Sequence, residues 1–155
     1  MAEQRQAKPV KNKDIQLLHR VNLLKLDVIS LEKRVKWERD RLSNISQHLS
    51  ASGGGGREHG MDESFAAMSE AEERHRLLVK TYTQEIKKAE RIIDSIASNQ
   101  MRTMVTMLYL DNVADSAVRS VLHMSRWAYD SAKAAIENAA CMADVRWNDR
   151  YSDDA

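Results

Sequence analysis

Apolar residues recur along the first third of the chain with an alternating spacing of four and three: Leu17, Val21, Leu24, Val28, Leu31, Val35, Leu42, Ile45 and Leu49, with only Glu38 breaking the series. A heptad ladder of this kind belongs to a long helix that buries one seam against a partner helix. A weaker ladder returns through Val79, Tyr82, Ile86, Ala89, Ile93 and Ile96, and Met61, Phe65 and Met68 extend it backward. The pattern predicts helices over 13–48 and 62–97. Between them, residues 50–60 read SASGGGGREHG, a flexible stretch that lets the chain reverse. After Ser98 the period shortens into three compact helices: Met101–Leu110, Asp115–Leu122 with Val118, Val121 and Leu122 on one face, and Arg126 to about Met142 with Tyr129, Ala132, Ala135 and Ile136 turned inward. The expected fold class is all-α, a long antiparallel coiled-coil hairpin followed by a C-terminal three-helix helix-turn-helix domain. Its expected divisions are a flexible basic arm at 1–12, the hairpin at 13–98 with its glycine-rich turn at 50–60, the helix-turn-helix domain at 99–143 and a polar tail at 144–155.

Several apolar residues lie off the first seam: Ile15, Leu18, Leu23, Leu26 and Ile29. A two-stranded pair cannot cover them, so either the C-terminal helices or a second copy of the chain is expected to pack there. Composition supports narrow helical seams over a thick core, since 43% of the chain is apolar but only 5% aromatic. Pro9 is the single proline, which suits long helices and argues against sheet folds. One cysteine, Cys141, and five scattered histidines give no disulfide framework and no conventional metal-ligand spacing, so no metal and no cofactor is expected, and the setting is expected to be reducing. No apolar run reaches the roughly 18 residues of a membrane span, and the first residues lack a signal-peptide core, so the expected location is the cytoplasm.

Charge is unevenly distributed. Residues 1–50 carry 11 Lys and Arg against 6 Asp and Glu, whereas residues 99–155 carry 6 against 8, so the basic surplus lies away from the short C-terminal helices. The acidic DESFAAMSEAEE segment is expected to face the basic KRVKWERDR segment, with charge pairing biasing the register of the hairpin. Ser125 is placed to cap the last helix, leaving Arg126, Trp127, Asp130 and Ser131 outward and Lys133 at the flank. A tight turn before such a helix is the geometry that offers one helix to the major groove.

The segments SGGGGREHGMDESFAAMSEAEE, IIDSI, RTMVTMLYLDN and VRSVLHMSRWAYDSAKAAIENA resemble a family of small phage-encoded proteins from Gram-positive bacteria and their prophages. These have paired N-terminal helices, a serine- and glycine-rich break and a helix-turn-helix similar to the C-terminal region of sigma factors; related members resemble late-gene transcriptional activators of staphylococcal and enterococcal phages. The resemblance covers about residues 14–140. It implies a DNA-binding regulator of late phage genes acting in the cytoplasm of a bacterial host, with double-stranded DNA as partner, host RNA polymerase as a further partner, and self-association into an oligomer. The residues expected to contact DNA are Arg119, Ser125, Arg126, Trp127, Asp130, Ser131 and Lys133. Three departures stand out: His123 replaces a turn glycine, Arg119 a small alanine, and Asp130 a basic residue.

The face spanning 115–133 therefore sets Arg119, Arg126 and Lys133 against Asp115 and Asp130, a weak balance for holding phosphates. Trp127 suits a nucleic-acid contact and a protein interface equally; Arg126 and Ser131 suit phosphates or base edges, or plain solvation. No glycine-rich phosphate loop follows a strand and no nucleophile stands at motif spacing from a base, so no enzyme is expected and no catalytic residue is assigned. Two rivals to the regulator remain: a coiled-coil adaptor or inhibitor that docks on a host factor, and a small DNA-packaging subunit working as a ring.

Overall fold

A computed structural model describes residues 9–52 and 58–151. The fold is all-α, and among the described residues no strand is present. Among the described residues there are five α-helices: α1 (Lys13–Ser52), α2 (Glu58–Asp94), α3 (Asn99–Val105), α4 (Asp115–Val121) and α5 (Arg126–Asn138). A π-helical turn, Thr106–Leu110, extends α3, and 3₁₀ turns at Met142–Asp144 and Asp149–Tyr151 follow α5. No described helix is long and apolar enough to cross a membrane.

The helix ends differ from expectation for local reasons. The expected turn at 50–60 narrows, since Ser50–Ser52 belong to α1 and Glu58–Gly60 to α2, and residues 53–57 lie outside the described residues, as do 1–8 and 152–155. The second helix stops at Asp94, not at Ala97, because Ser98 takes an extended backbone and its hydroxyl accepts from Met101 N at 3.3 Å, capping α3 instead. Arg102 fastens this junction by donating from Nη2 to the Ile96 carbonyl at 2.6 Å. The last helix ends at Asn138, four residues short of Met142, where Ala139 becomes extended.

The chain packs as two compact units: Leu23–Gln84, and the chain up to Asn22 together with the chain from Glu85 onward. The expected boundary at 98/99 is not where this division falls. Within Leu23–Gln84, α1 and α2 run in opposite directions, since Arg39 meets Glu72 and Arg41, later on α1, meets Ser64, earlier on α2. On α1 in this unit the buried or half-buried residues include the expected Leu24, Val28, Leu31, Val35, Leu42 and Ile45, while the side chain of Leu49 lies outside those described. Glu38, the interruption, lies in that seam only 3% exposed.

On α2 the facing series is Ser64, Met68, Ala71, His75, Leu78 and Tyr82, spaced four and three. Phe65, expected on that seam, is 58% exposed, because it falls one residue, and so about 100°, beyond Ser64. Arg39 donates to Glu72 from Nε at 2.9 Å and Nη2 at 2.7 Å, a pairing of the basic and acidic segments. Trp37, by contrast, is exposed, with the Arg41 guanidinium 5.5 Å from its ring centre.

The other unit has a three-dimensional core. Ile15, Leu18 and Val21 from the start of α1 are buried, as are Ala89, Met101, Met104, Val105, Val118, Ala128, Tyr129, Ala132 and Ile136. The first turn of α1 and the last of α5 cap one another. Asn12 Oδ1 accepts from Asp14 N at 2.9 Å and Ile15 N at 3.3 Å, satisfying free amides at the start of α1. Its Nδ2 donates to the Ile136 carbonyl at 2.9 Å, while Lys11 N and Asn12 N donate to the Glu137 carbonyl and Lys13 N to Ala140 O. In return Met142 N donates to Asp14 Oδ2 at 2.8 Å.

The expected arm at 1–12 therefore does not extend as free chain to its end: Asn12 is fully buried, because its side chain is needed at both helix termini. The off-seam residues of α1 also divide. Ile15 and Leu18 lie beside these bonds and the edge-to-face contact of His19 with Tyr109, in line with cover from the C-terminal helices. Leu23, Leu26 and Ile29 remain exposed.

Candidate nucleic-acid interface

The segment from α4 to α5 is built around a short turn. At the end of α4, His123 N donates to the Ser120 carbonyl at 3.2 Å and Met124 N to the Arg119 carbonyl at 3.1 Å, the paired bonds of a Schellman cap. That cap requires a left-handed residue, and His123 supplies it at φ 51. Glycine takes this conformation freely, whereas a residue with Cβ is strained there. Ser125 then opens α5 from an extended backbone (φ −64, ψ 157), its hydroxyl accepting from Ala128 N at 3.2 Å. Met124 of the turn, Val118 of α4, and Ala128, Tyr129, Ala132 and Ile136 of α5 are buried together. Ala128 belongs to this inward face beside the expected Tyr129, Ala132 and Ile136, while Ala135 is half-buried. Val121, expected on the inner face of α4, is exposed because the helix ends there and the chain turns away.

The outward residues fall into place as follows. Arg126, Trp127 and Asp130 are exposed on the first turns of α5, Trp127 by 65%. Ser125 is exposed but its hydroxyl is committed to the cap. Arg119, Ser131 and Lys133 are half-buried. A shallow depression of about 330 Å³ between α4 and α5 gathers Arg119, Arg126, Asp130 and Lys133 with Asp115, Ser116 and Tyr129. Trp127 and Ser131 do not line it.

Electrostatics tie the depression together. Asp115 Oδ1 accepts from Lys133 Nζ at 2.8 Å and from the Tyr129 hydroxyl. Lys133 first, and then the tyrosine, hold the Asp115 carboxyl below the usual aspartate range. Desolvation and the neighbouring carboxylate push the Tyr129 hydroxyl upward, so it remains a donor. Arg126 lies more loosely against Asp130, Nε to Oδ2 at 4.0 Å along one face of α5. Further along α5, burial and then Glu137 raise the Tyr109 hydroxyl, which donates to Glu137 Oε1 at 3.1 Å. The roles of Asp115 and Tyr129 are not evident from spacing, since 14 residues and a turn separate them. The available signal was weaker: an inward tyrosine needs a partner for its hydroxyl, and acids flank this turn.

Chemically the depression offers guanidinium, ammonium and hydroxyl donors to an anion, opposed by two carboxylates. Among the described residues no group of His, Cys, Asp and Glu could hold a metal ion. Comparison of the chain with protein-family models, curated proteins and solved structures gives no match.

Proposed function

We propose that the protein is a phage or prophage regulator of late genes that binds double-stranded DNA through α5. In this reading α1 and α2 form a coiled-coil hairpin and α3–α5 a sigma-like helix-turn-helix, as the resemblance to the phage-encoded family implies. The carrying observation is the way α5 is presented: a capped helix whose Ala128, Tyr129, Ala132 and Ile136 are buried while Arg126, Trp127 and Asp130 at its start face solvent. A groove-inserted helix needs that division, with base- and phosphate-reaching residues at its N-terminal end. Arg126 and Lys133 are the residues proposed to meet phosphate, Trp127 and Ser131 to meet bases or the backbone, and Arg119 to support from α4. The chain acts without catalysis in the bacterial cytoplasm, self-associates, and works beside host RNA polymerase. In mobility shifts with the late promoter region of the encoding phage, Arg126→Ala with Lys133→Ala weakens binding by about tenfold or more, each phosphate contact contributing to affinity. Unchanged binding places the contact on another surface.

A second reading has its own observation. Leu23 and Leu26 are 63% and 53% exposed and share one side of α1 with Ile29. Exposed apolar stripes serve protein contacts, and an adaptor docking on a host factor uses them. In that case the double substitution in α5 leaves partner binding intact, whereas Leu26→Glu abolishes it.

A further inference from the structure

Resting on the DNA-binding reading of α5, we propose that Asp130 and Asp115 stand in for DNA phosphate, holding Arg126 and Lys133 in internal ion pairs that a duplex must displace. Both cations that α5 contributes to the depression already face a carboxylate. Arg126 Nε lies 4.0 Å from Asp130 Oδ2 and Lys133 Nζ 2.8 Å from Asp115 Oδ1. The Tyr129 hydroxyl converges with the Lys133 ammonium on the same Asp115 oxygen, as donors converge on a bound phosphate oxygen.

The two pairs differ in grip. Arg126 and Asp130 are both largely in water, and their contact is long, so it breaks at little cost. Asp115 is held by two donors and Lys133 is half-buried, so that pair yields last. The consequence is a threshold for binding. Phosphates of a random duplex attract the face only weakly, because exchanging one anion for another at Arg126 and Lys133 gains little and releases few counterions. A sequence that also supplies contacts to the rest of α5 pulls the pairs open. The carboxylates thus impose the same cost on every duplex, and only one with further contacts to α5 repays it.

The test uses the full chain and a fluorescein-labelled duplex of random sequence at low salt, read by anisotropy. Asp130→Asn binds it about fivefold more tightly, the most that freeing one exposed pair gives, and steepens the slope of log affinity against log salt by about one unit. Asp115→Asn, whose amide oxygen still accepts from Tyr129, shifts affinity the same way. The gain from Asp130→Asn vanishes in an Arg126→Ala background. Asp94→Asn, which makes the same charge change at the exposed end of α2, has no comparable effect. Equal gains from Asp94→Asn, or a gain that survives Arg126→Ala, assign the effect to net charge and overturn the inference while leaving the DNA reading in place. No gain from either α4–α5 variant overturns it as well. If neither the wild-type chain nor Asp130→Asn binds any duplex, the DNA reading falls and the proposed displacement with it.

Discussion

The unit Leu23–Gln84 and the unit that holds α3–α5 bury their residues by different rules. In the first, a single seam between two helices carries, among the described residues, only two buried apolar side chains, Val35 and Ala71, and it also admits Glu38 and Ser64. In the second, at least five elements contribute to one core, and Ile15, Leu18, Met104, Val118 and Ile136 lose essentially all contact with water. A seam one residue wide leaves no room to hide a misfit, while a core of several elements surrounds each side chain. Stability should therefore concentrate in the second unit, and the first should exchange and rearrange more readily.

The largest effect tests that contrast directly. Ile136→Ala removes a side chain enclosed on every side and costs about 4 kcal/mol, whereas Val35→Ala in the seam costs about 2 kcal/mol or less. Denaturant melts of the two variants, with hydrogen exchange to show which unit opens, measure the difference. Equal costs would mean that the seam is as enclosed as the core.

Next in size, Glu38→Leu sharpens the comparison from the other side. Glu38 Oε2 is buried, takes no hydrogen bond among the described residues and lies 3.8 Å from Arg41 Nη1. An ion pair so poorly bonded does not repay its desolvation, so leucine there stabilises Leu23–Gln84 by about 1–2 kcal/mol. Slower exchange of amides in 30–40 and 68–78 is the readout. A destabilised variant would show that Arg41 and Ser64 make the carboxylate worth keeping. The smallest effect falls in the α4–α5 turn: His123→Gly relieves the left-handed strain and raises the melting midpoint by the equivalent of about 1 kcal/mol, leaving the helices unchanged by circular dichroism.

Much of the helical plan was legible because period is a local property. The ladder of α1, the cap at Ser125 and the end of the helix at Leu110 are written in neighbouring residues; Asn112, just beyond that end, has like His123 a left-handed backbone, φ 52. Errors came where a one-residue phase or a distant partner decided. Phe65 satisfies the apolar pattern, yet the seam passes through the smaller, polar Ser64, which accepts from Arg41 of α1, a partner invisible in α2 alone. Val121 looks inward by period, but α4 ends under it. The exposure of Arg126, Trp127 and Asp130 was readable from the spacing of the buried residues of α5, whereas Ser131, expected outward, is half-buried. Which carboxylate answers which cation was not, since Asp115 reaches Lys133 and Tyr129 only after α4 and α5 have folded back on each other.

The mutual capping of α1 and α5 has a temporal side. Asn12 bonds to Ile136, and Asp14 to Met142, across separations of 124 and 128 residues. A ribosome making this chain releases Asn12 long before Ile136 exists. Long-separation contacts of this kind slow folding, because a large loop must close before they form. The amides of Lys11, Asn12 and Lys13 thus wait for the carbonyls of Glu137 and Ala140 to emerge, and a message cut short before Ile136 leaves that end without its closure. The first and last elements of this unit therefore close on each other only after α5 has been made.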